Sequence, residues 1–305
     1  MPSGVILKGI GGFYYVQSER TVYECKARGI FRKNEITPLP GDEVEFTVQD
    51  EAKAEGSIDS ILPRKTLLVR PSVANVDQLV AVIAVKSPEP DFLLLDKLLV
   101  TAEKEGVNAC ICINKIDLDE SGECGRIEKE YAGAGFRMIP ASSTAGIGLD
   151  ELKDALKGRI TVFAGQSGVG KSTLLNWIMD SFVMKTGTLS GRIERGRHTT
   201  RHAELVPLEG GGYLVDTPGF SSFELTGIEY SRLQDYYREF SGIEENCRFS
   251  GCSHISEPDC AVKAAVARAE IGAGRHGRYI VLYGLLKQLD EMKYKKSRQS
   301  EVKKQ

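Results

Sequence analysis

Nowhere in the 305 residues is there an apolar run approaching the roughly 20 residues that a spanning helix requires. The first residues, MPSGVILKGIGG, carry neither a long apolar stretch nor a small-residue cleavage site after one. Both absences predict a soluble chain that contacts no membrane and stays in the cytoplasm. A surplus of one charge is also missing. Lys and Arg number 40 against 42 Asp and Glu, a formal net charge of −2, so no whole-molecule field steers the chain onto nucleic acid, and any such contact depends on local patches. Cysteine is sparse and odd in number at seven, which argues against a fully paired disulfide framework; three of the seven crowd into 247–260, as metal ligands do. Cys110 and Cys112 alternate within the apolar run VNACICIN and read as small buried hydrophobes, while Cys25 and Cys124 carry no signal. There is no internal repeat and no low-complexity block.

With 41% hydrophobic and 27% charged residues the chain reads as globular, and its length exceeds what one core usually organises, so two or three domains are expected. Residues 3–62 hold five short strand patterns, SGVILKG, GFYYVQS, TVYECKA, DEVEFTVQ and GSIDSIL, separated by Gly, Pro and charged turns; this predicts a small OB-like β-barrel. Its basic loop, with Lys26, Arg28, Arg32 and Lys33 around Phe31, reads either as a contact for phosphates and a base or as a solvated turn. From residue 78 strands alternate with helical stretches: QLVAVIAV, FLLLDKLLVTAEKEG, VNACICINK, RIEKEYAGAG, FRMIPAS, LDELKDALKG and ITVFAG. That order predicts an α/β domain built on a parallel sheet. Beyond Phe223 no strand is expected; an Ala-rich helix runs from about Cys260 to Ala269 and a longer one from about Arg278 to Lys296. The expected divisions are 1–65, 66–223 and 224–305.

Gly165-Gln166-Ser167-Gly168-Val169-Gly170-Lys171-Ser172-Thr173 follows the strand ITVFA and opens a helix, which is a complete P-loop in its proper context. Its glycines let backbone N–H groups converge on phosphate oxygens at a helix N-terminus; Lys171 neutralises the β- and γ-phosphates and the Ser172 hydroxyl can ligate Mg²⁺. Asp216-Thr-Pro-Gly219 ends another strand, placing a carboxylate where it can hold Mg²⁺ through water and the Gly219 amide where it meets the γ-phosphate. Asn114-Lys115-Ile-Asp117 separates guanine from adenine, because Asp117 can accept from the guanine ring N–H and amino group, whereas adenine leaves it unpaired. Asn114 ties this segment to its neighbours, and the Lys115 stem can lie over the base. In Pro140-Ala-Ser142-Ser143-Thr144 backbone amides can meet the guanine oxygen.

Cys247-x4-Cys252-x-His254-x5-Cys260 supplies three thiolates and one imidazole within fourteen residues, a match to a closed tetrahedral zinc site with no position left for water, hence structural. Beyond it Lys287, Lys293, Lys295, Lys296, Arg298, Lys303 and Lys304 form a basic helix end suited to RNA, a patch that Arg275, His276 and Arg278 could extend.

These motifs resemble those of the GTPase superfamily, in an order that differs from its usual member: the base motifs at 114 and 142 precede the P-loop at 165 and DTPG at 216. With a β-barrel before and a Cys/His module after, and with Gly196-Arg-His198-Thr199-Thr200-Arg201 similar to a switch-loop signature, the whole chain resembles the ribosome small-subunit-dependent GTPase A family of circularly permuted GTPases. The resemblance implies hydrolysis of GTP to GDP with Mg²⁺, one structural zinc, and late maturation of the small ribosomal subunit through contact with it and its rRNA. A monomer is expected. Thr200, or alternatively Thr199, completes the Mg²⁺ shell, and Arg192, Arg195, Arg197 and Arg201 make the loop basic. Where the best-known GTPases carry a water-positioning glutamine after DTPG, this chain has Phe220, so His198 or a partner substitutes or hydrolysis is slow. Two rivals remain at this level: an RNA-binding scaffold that holds nucleotide without turning it over, and a P-loop ATPase.

Overall fold

The computed structural model of the chain describes residues 1–29, 31, 36–69, 71–182, 203–216, 225 and 227–302, without the side chains of 181, 182 and 294–302. Five strands, β1 Ser3–Ile10, β2 Phe13–Ser18, β3 Thr21–Ala27, β4 Glu43–Asp50 and β5 Glu55–Ile61, close a barrel in the order β1-β2-β3-β5-β4. Closure leaves no free edge and turns one residue of each alternating pair inward, so Ile6, Val16, Cys25, Val44, Phe46 and Ile58 form a dry interior. Phe31 joins that interior at 7% exposure: its ring packs in the barrel core, so of the two readings of its loop, the base contact is not one that this ring supplies. Of its basic neighbours, Arg28 pairs with Asp59 and Lys26 lies 5.1 Å from the Phe13 ring; Arg32 and Lys33 fall outside the described residues.

A short hairpin, β6 Leu67–Val69 and β7 Ser72–Ala74, follows the barrel and has no counterpart in the expected pattern, because three-residue strands are too short to show alternation. Around it Arg64 grips the fully buried Asp42 with two bonds of 2.7 and 2.8 Å, and the Asn75 amide donates to the Gly41 carbonyl at 2.9 Å.

The second sheet has the order β10-β9-β8-β11-β13-β12, from β8 Gln78–Ala84, β9 Asn108–Asn114, β10 Arg137–Pro140, β11 Ile160–Gly165, β12 Glu204–Pro207 and β13 Tyr213–Asp216. All neighbours run parallel except β12, which is antiparallel to β13. Both faces are covered, which is why β8 and β11 are unbroken apolar runs. Leu79, Ala81 and Ile83 meet helices α1 Phe92–Lys104 and α2 Glu123–Tyr131 on one face, while Val80, Val82 and Ala84 meet α3 Leu149–Leu156 and α4 Lys171–Phe182 on the other. Cys110 and Cys112 belong to the second face as buried hydrophobes; burial pushes the Cys110 thiol up to about 12 and raises that of Cys112 further. From β8 the chain steps outward through β9 to β10, then returns to β11 beside β8 and continues to the opposite edge. The strand order therefore reverses between β8 and β11, and the crevice at their carboxyl ends is where an open α/β sheet binds ligand.

After residue 227 the described chain forms short 3₁₀ turns, α5 Ala261–Ala267 and the long α6 Ala273–Val302, around a core of Leu233, Tyr237, Phe240, Val262, Tyr279 and Leu282. Arg275 and Arg278 on α6 do not extend a surface patch as expected. Arg275 is 1% exposed and pairs with Glu239 and, at 2.7 Å, with Asp96 of α1; Arg278 reaches the same Asp96 and, at 3.1 Å, Glu130 of α2. His276 is buried too, bonded through Nε2 to the His254 carbonyl at 2.8 Å. Their acidic partners lie far away in sequence, so the run read as a charged surface is the joint between the C-terminal region and the α/β sheet.

Candidate functional site

The β11 strand delivers Gly165 to the crevice floor with φ 149°, and a Cβ there would sit 2.1 Å from the Val82 carbonyl oxygen, so only glycine lets β11 run this close to β8 before turning. The turn that follows brings Lys171 back over it, with Nζ donating to the carbonyls of Gly165 and Gln166 at 2.6 Å each. Burial lowers the Lys171 ammonium from its ordinary value, so an incoming phosphate anion meets a cation held in a partly desolvated cradle. Ser172 and Thr173 are exposed in the first turn of α4, whose free N–H groups and dipole favour an anion at the same place.

The P-loop and the base motif interlock. The fully buried Asn114, last residue of β9, donates from Nδ2 to the Val169 carbonyl at 2.8 Å and accepts at Oδ1 from the Ser143 amide at 3.4 Å, so one side chain holds the phosphate loop and the second base loop together. Gly170, at φ 94°, is the point of contact: a Cβ on it would lie 2.3 Å from Asn114 Nδ2. Lys115 takes the left-handed conformation at φ 63° and sends its stem across the P-loop, donating to the carbonyls of Gly168 at 2.7 Å and of Ser87. Ser87, in the loop between β8 and α1, is a participant that no sequence motif marks.

Asp117 stands exposed at the mouth of this crevice with both oxygens engaged, one by the Ser142 hydroxyl and the other by Thr144 Oγ1 at 3.2 Å. The Ser142 bond is the largest cause holding its carboxyl below the ordinary value, so the group is an anion ready to accept from paired N–H donors. Asp216 ends β13 beside β11, on the phosphate side of the same crevice. Thr200, His198, Thr199 and Gly219, together with Phe220, lie outside the described residues.

The second cluster is in the C-terminal region. The ligand atoms of Cys247, Cys252, His254 and Cys260 all lie within 4.8 Å of one another. Three separations can be set against zinc chemistry: metal–sulfur bonds of about 2.3 Å and metal–nitrogen bonds of about 2.0–2.1 Å in a tetrahedron place two sulfurs about 3.8 Å apart and a sulfur and nitrogen about 3.6 Å apart. Here Cys247 Sγ and Cys260 Sγ are 3.8 Å apart, and His254 Nδ1 is 3.6 Å and 3.4 Å from them. The residues fit the metal. His254 Nε2 is 2.8 Å from Gln234 Oε1, which fixes the proton on Nε2 and leaves the Nδ1 lone pair facing the sulfurs, and burial lowers the imidazole pKa and keeps it neutral as a ligand must be. Backbone amides of Ala261 and Lys263 point at Cys247 Sγ and Cys260 Sγ at 3.3 and 3.5 Å. Burial pushes the Cys252 thiol up to about 12, a cost that a bound cation reverses by stabilising the thiolate. Gln234 lies 20 residues from His254, and no spacing rule points to it. Among the described residues no helix is long and apolar enough to cross a membrane.

The RsgA GTPase family model matches residues 61–226, and the RsgA N-terminal domain model matches residues 3–58. A small ribosomal subunit biogenesis GTPase RsgA of Ruminiclostridium cellulolyticum is 56% identical over 304 residues, covering 99% of both chains, and one of Alkaliphilus metalliredigens is 47% identical over 287 residues, covering 94% of this chain and 98% of its own. The crystal structure of YjeQ from Thermotoga maritima superposes with a TM-score of 0.81 at 38% identity, over 93% of this chain and 98% of that one. YloQ, a circularly permuted GTPase, superposes at 0.79 and 38%, over 94% and 96%. A P-loop interlocked with the Asn114–Asp117 motif that precedes it in the chain, behind a closed barrel and ahead of a Cys₃His cluster, is thus matched along nearly its full length, and the chain belongs to the RsgA GTPase family, whose circularly permuted members hydrolyse GTP.

Proposed function

We propose that this GTPase binds the small ribosomal subunit and its rRNA in the cytoplasm as a monomer and assists late maturation of the subunit, turning GTP over slowly alone and faster on the subunit. The observation that carries the nucleotide half is the Asn114 side chain bonded at once to Val169 of the P-loop and to Ser143 of the base loop, which ties phosphate and base recognition into one crevice. In this reading Gly165 to Thr173 cradle the phosphates, with Lys171 neutralising them. Asp117 reads guanine, Lys115 covers the base, and the amides at Ser142 and Ser143 meet its oxygen. Ser172 and Thr200 ligate Mg²⁺, Asp216 holds it through water, and the Gly219 amide senses the γ-phosphate. Cys247, Cys252, His254 and Cys260 hold one structural zinc. The three units are 1–65, 66–223 and 224–305.

The ribosomal half is supported by the names of the relatives, which are small ribosomal subunit biogenesis GTPases. It is also supported by α6, where every side chain described after Leu286, the basic Lys287 and Lys293 included, is exposed. Slow turnover, on the order of 10⁻⁴ to 10⁻² s⁻¹, follows from Phe220 in the place of a water-positioning glutamine, with His198 as the residue that helps once the switch loop orders on the subunit. The test is phosphate release at saturating GTP with and without purified small subunits, for the wild type and His198→Ala. Acceleration by subunits in the wild type is expected; fast release without them, or none with them, overturns the reading, and a normal stimulated rate in the variant removes His198 from catalysis.

A further inference from the structure

Ser142 N and Ile147 O, and Ile147 N and Ser142 O, pair at 3.0 and 3.1 Å, pinching the base loop into a tight turn that holds Thr144 at its outer edge. Thr144 Oγ1 lies 3.2 Å from Asp117 Oδ2 and 3.1 Å from Ser142 Oγ. The hydroxyl has one hydrogen to give. Ser142 Oγ already accepts from the Ala145 amide at 2.9 Å and donates to Asp117 Oδ1, and a bond to a carboxylate is the stronger choice, so the Thr144 hydrogen goes to Asp117 Oδ2. Each carboxylate oxygen therefore has one side-chain hydroxyl donor from the base loop, and the exposed carboxylate still has acceptor capacity for the base.

We propose that Thr144 is a specificity-determining residue: its hydroxyl serves Asp117 as an internal stand-in for the exocyclic amino group of guanine and so softens discrimination against purine nucleotides that lack this group. The inference rests on Asp117 being the base reader. With a guanine nucleotide bound, ring N–H and amino group each donate to one carboxylate oxygen. With an inosine nucleotide, which has the ring N–H but no amino group, Asp117 Oδ2 is covered by the base yet keeps the Thr144 hydrogen. Without the hydroxyl, that oxygen has no donor once the base excludes water, and the penalty for an unpaired charged acceptor falls on inosine alone. Thr144 acts through Asp117 and touches neither phosphate nor metal.

The experiment measures GDP and IDP affinities by displacement of a fluorescent guanine nucleotide from the full-length protein, for wild type, Thr144→Val, Thr144→Ser and Asp117→Asn. The expected result is that in Thr144→Val the preference for GDP over IDP widens about tenfold, whatever change the two affinities share, and that Thr144→Ser restores the wild-type ratio. An unchanged ratio in Thr144→Val, or a ratio in Thr144→Ser equal to that of the valine variant, overturns the proposal. The Asp117→Asn arm separates this from failure of the underlying reading: if that variant binds GDP as the wild type does, Asp117 is not the base reader, whereas loss of GDP binding there with an unchanged ratio in Thr144→Val refutes only the role of Thr144.

Discussion

On the proposed reading Gly170 and Asp117 serve the two halves of nucleotide recognition, phosphate and base, and each yields a prediction. A methyl group at Gly170 would sit 2.3 Å from Asn114 Nδ2 on a backbone at φ 94°, so Gly170→Ala both strains the loop and pushes away the amide that bridges it to the base motif. Its expected effect is a loss of at least about tenfold in GDP affinity, equal for GDP and GTP, read by nucleotide displacement; a variant that binds as the wild type would show that the interlock does not matter for binding. Asp117→Asn acts on the base instead. Replacing one acceptor by a donor turns preference from guanine toward xanthine, with GDP affinity falling on the order of 100-fold and XDP affinity rising, as competition binding will show. At this scale the sequence was informative, because Asp117, Lys171 and the P-loop glycines are residue types that chemistry requires at fixed spacing. What it could not reveal is that Asn114 spans to Val169 and Lys115 to Gly168 and Ser87: these partners stand at or beyond the ends of three different strands, β9, β11 and β8, and only the sheet brings them within bonding distance.

Elements show a sharper division between what patterns reveal and what they conceal. The five barrel strands and the buried runs of β8, β9 and β11 were legible from alternation and apolar runs, as were α1, α3 and α5. The β6–β7 hairpin was not, being too short, and α6 begins at Ala273 rather than near Arg278, because Gly274 and Gly277 mask helical potential that tertiary packing of Arg275 and Tyr279 supplies. The Cys₃His spacing was legible, yet the side chain that orients its histidine was not. Two predictions belong here. Elemental analysis of protein expressed with zinc should find one Zn²⁺ per chain, released on denaturation, with occupancy reduced in Cys252→Ser; a folded wild type free of metal would eliminate the site. Arg275→Ala should cost about 3–5 kcal/mol in denaturant unfolding, since it strands Glu239 as a buried unpaired charge and leaves Asp96 to Arg278 and Tyr131, whereas removal of a surface arginine such as Arg268 should leave the unfolding midpoint almost unchanged.

Across the whole molecule the nucleotide crevice is held between two attached units. On one side Lys8 of the barrel pairs at 2.7 Å with Glu204 of β12, the residue in register with Asp216 on β13. On the other, α1 lies directly beneath the P-loop, with Leu94, Leu95 and Leu98 facing Gly165 and Gln166 across a small cavity, and the next residue after Leu95 is the Asp96 that Arg275 and Arg278 grip from α6. On the proposed reading, a subunit that docked on α6 and displaced it would have a route to the phosphate loop through one helix. Arg278 is the better place to test this than Arg275, because it is 17% exposed at the margin of the network and Arg275 still neutralises Asp96 when it is gone. Arg278→Met replaces the guanidinium that lies 5.0 Å over the Phe92 ring by a thioether of similar reach and removes the charge, so folding, zinc content and GDP affinity should remain near wild type. If α1 carries the coupling, intrinsic GTP turnover stays within about twofold while the acceleration by small subunits falls about fivefold or more, a loss of roughly 1 kcal/mol of coupling free energy. The measurement is phosphate release across a titration of subunits, which separates weaker docking, seen as a shifted midpoint at the same plateau, from weaker coupling, seen as a lowered plateau. An unshifted curve with the wild-type plateau would show that the signal from the subunit travels through the switch loop or the barrel and not through the Asp96 joint.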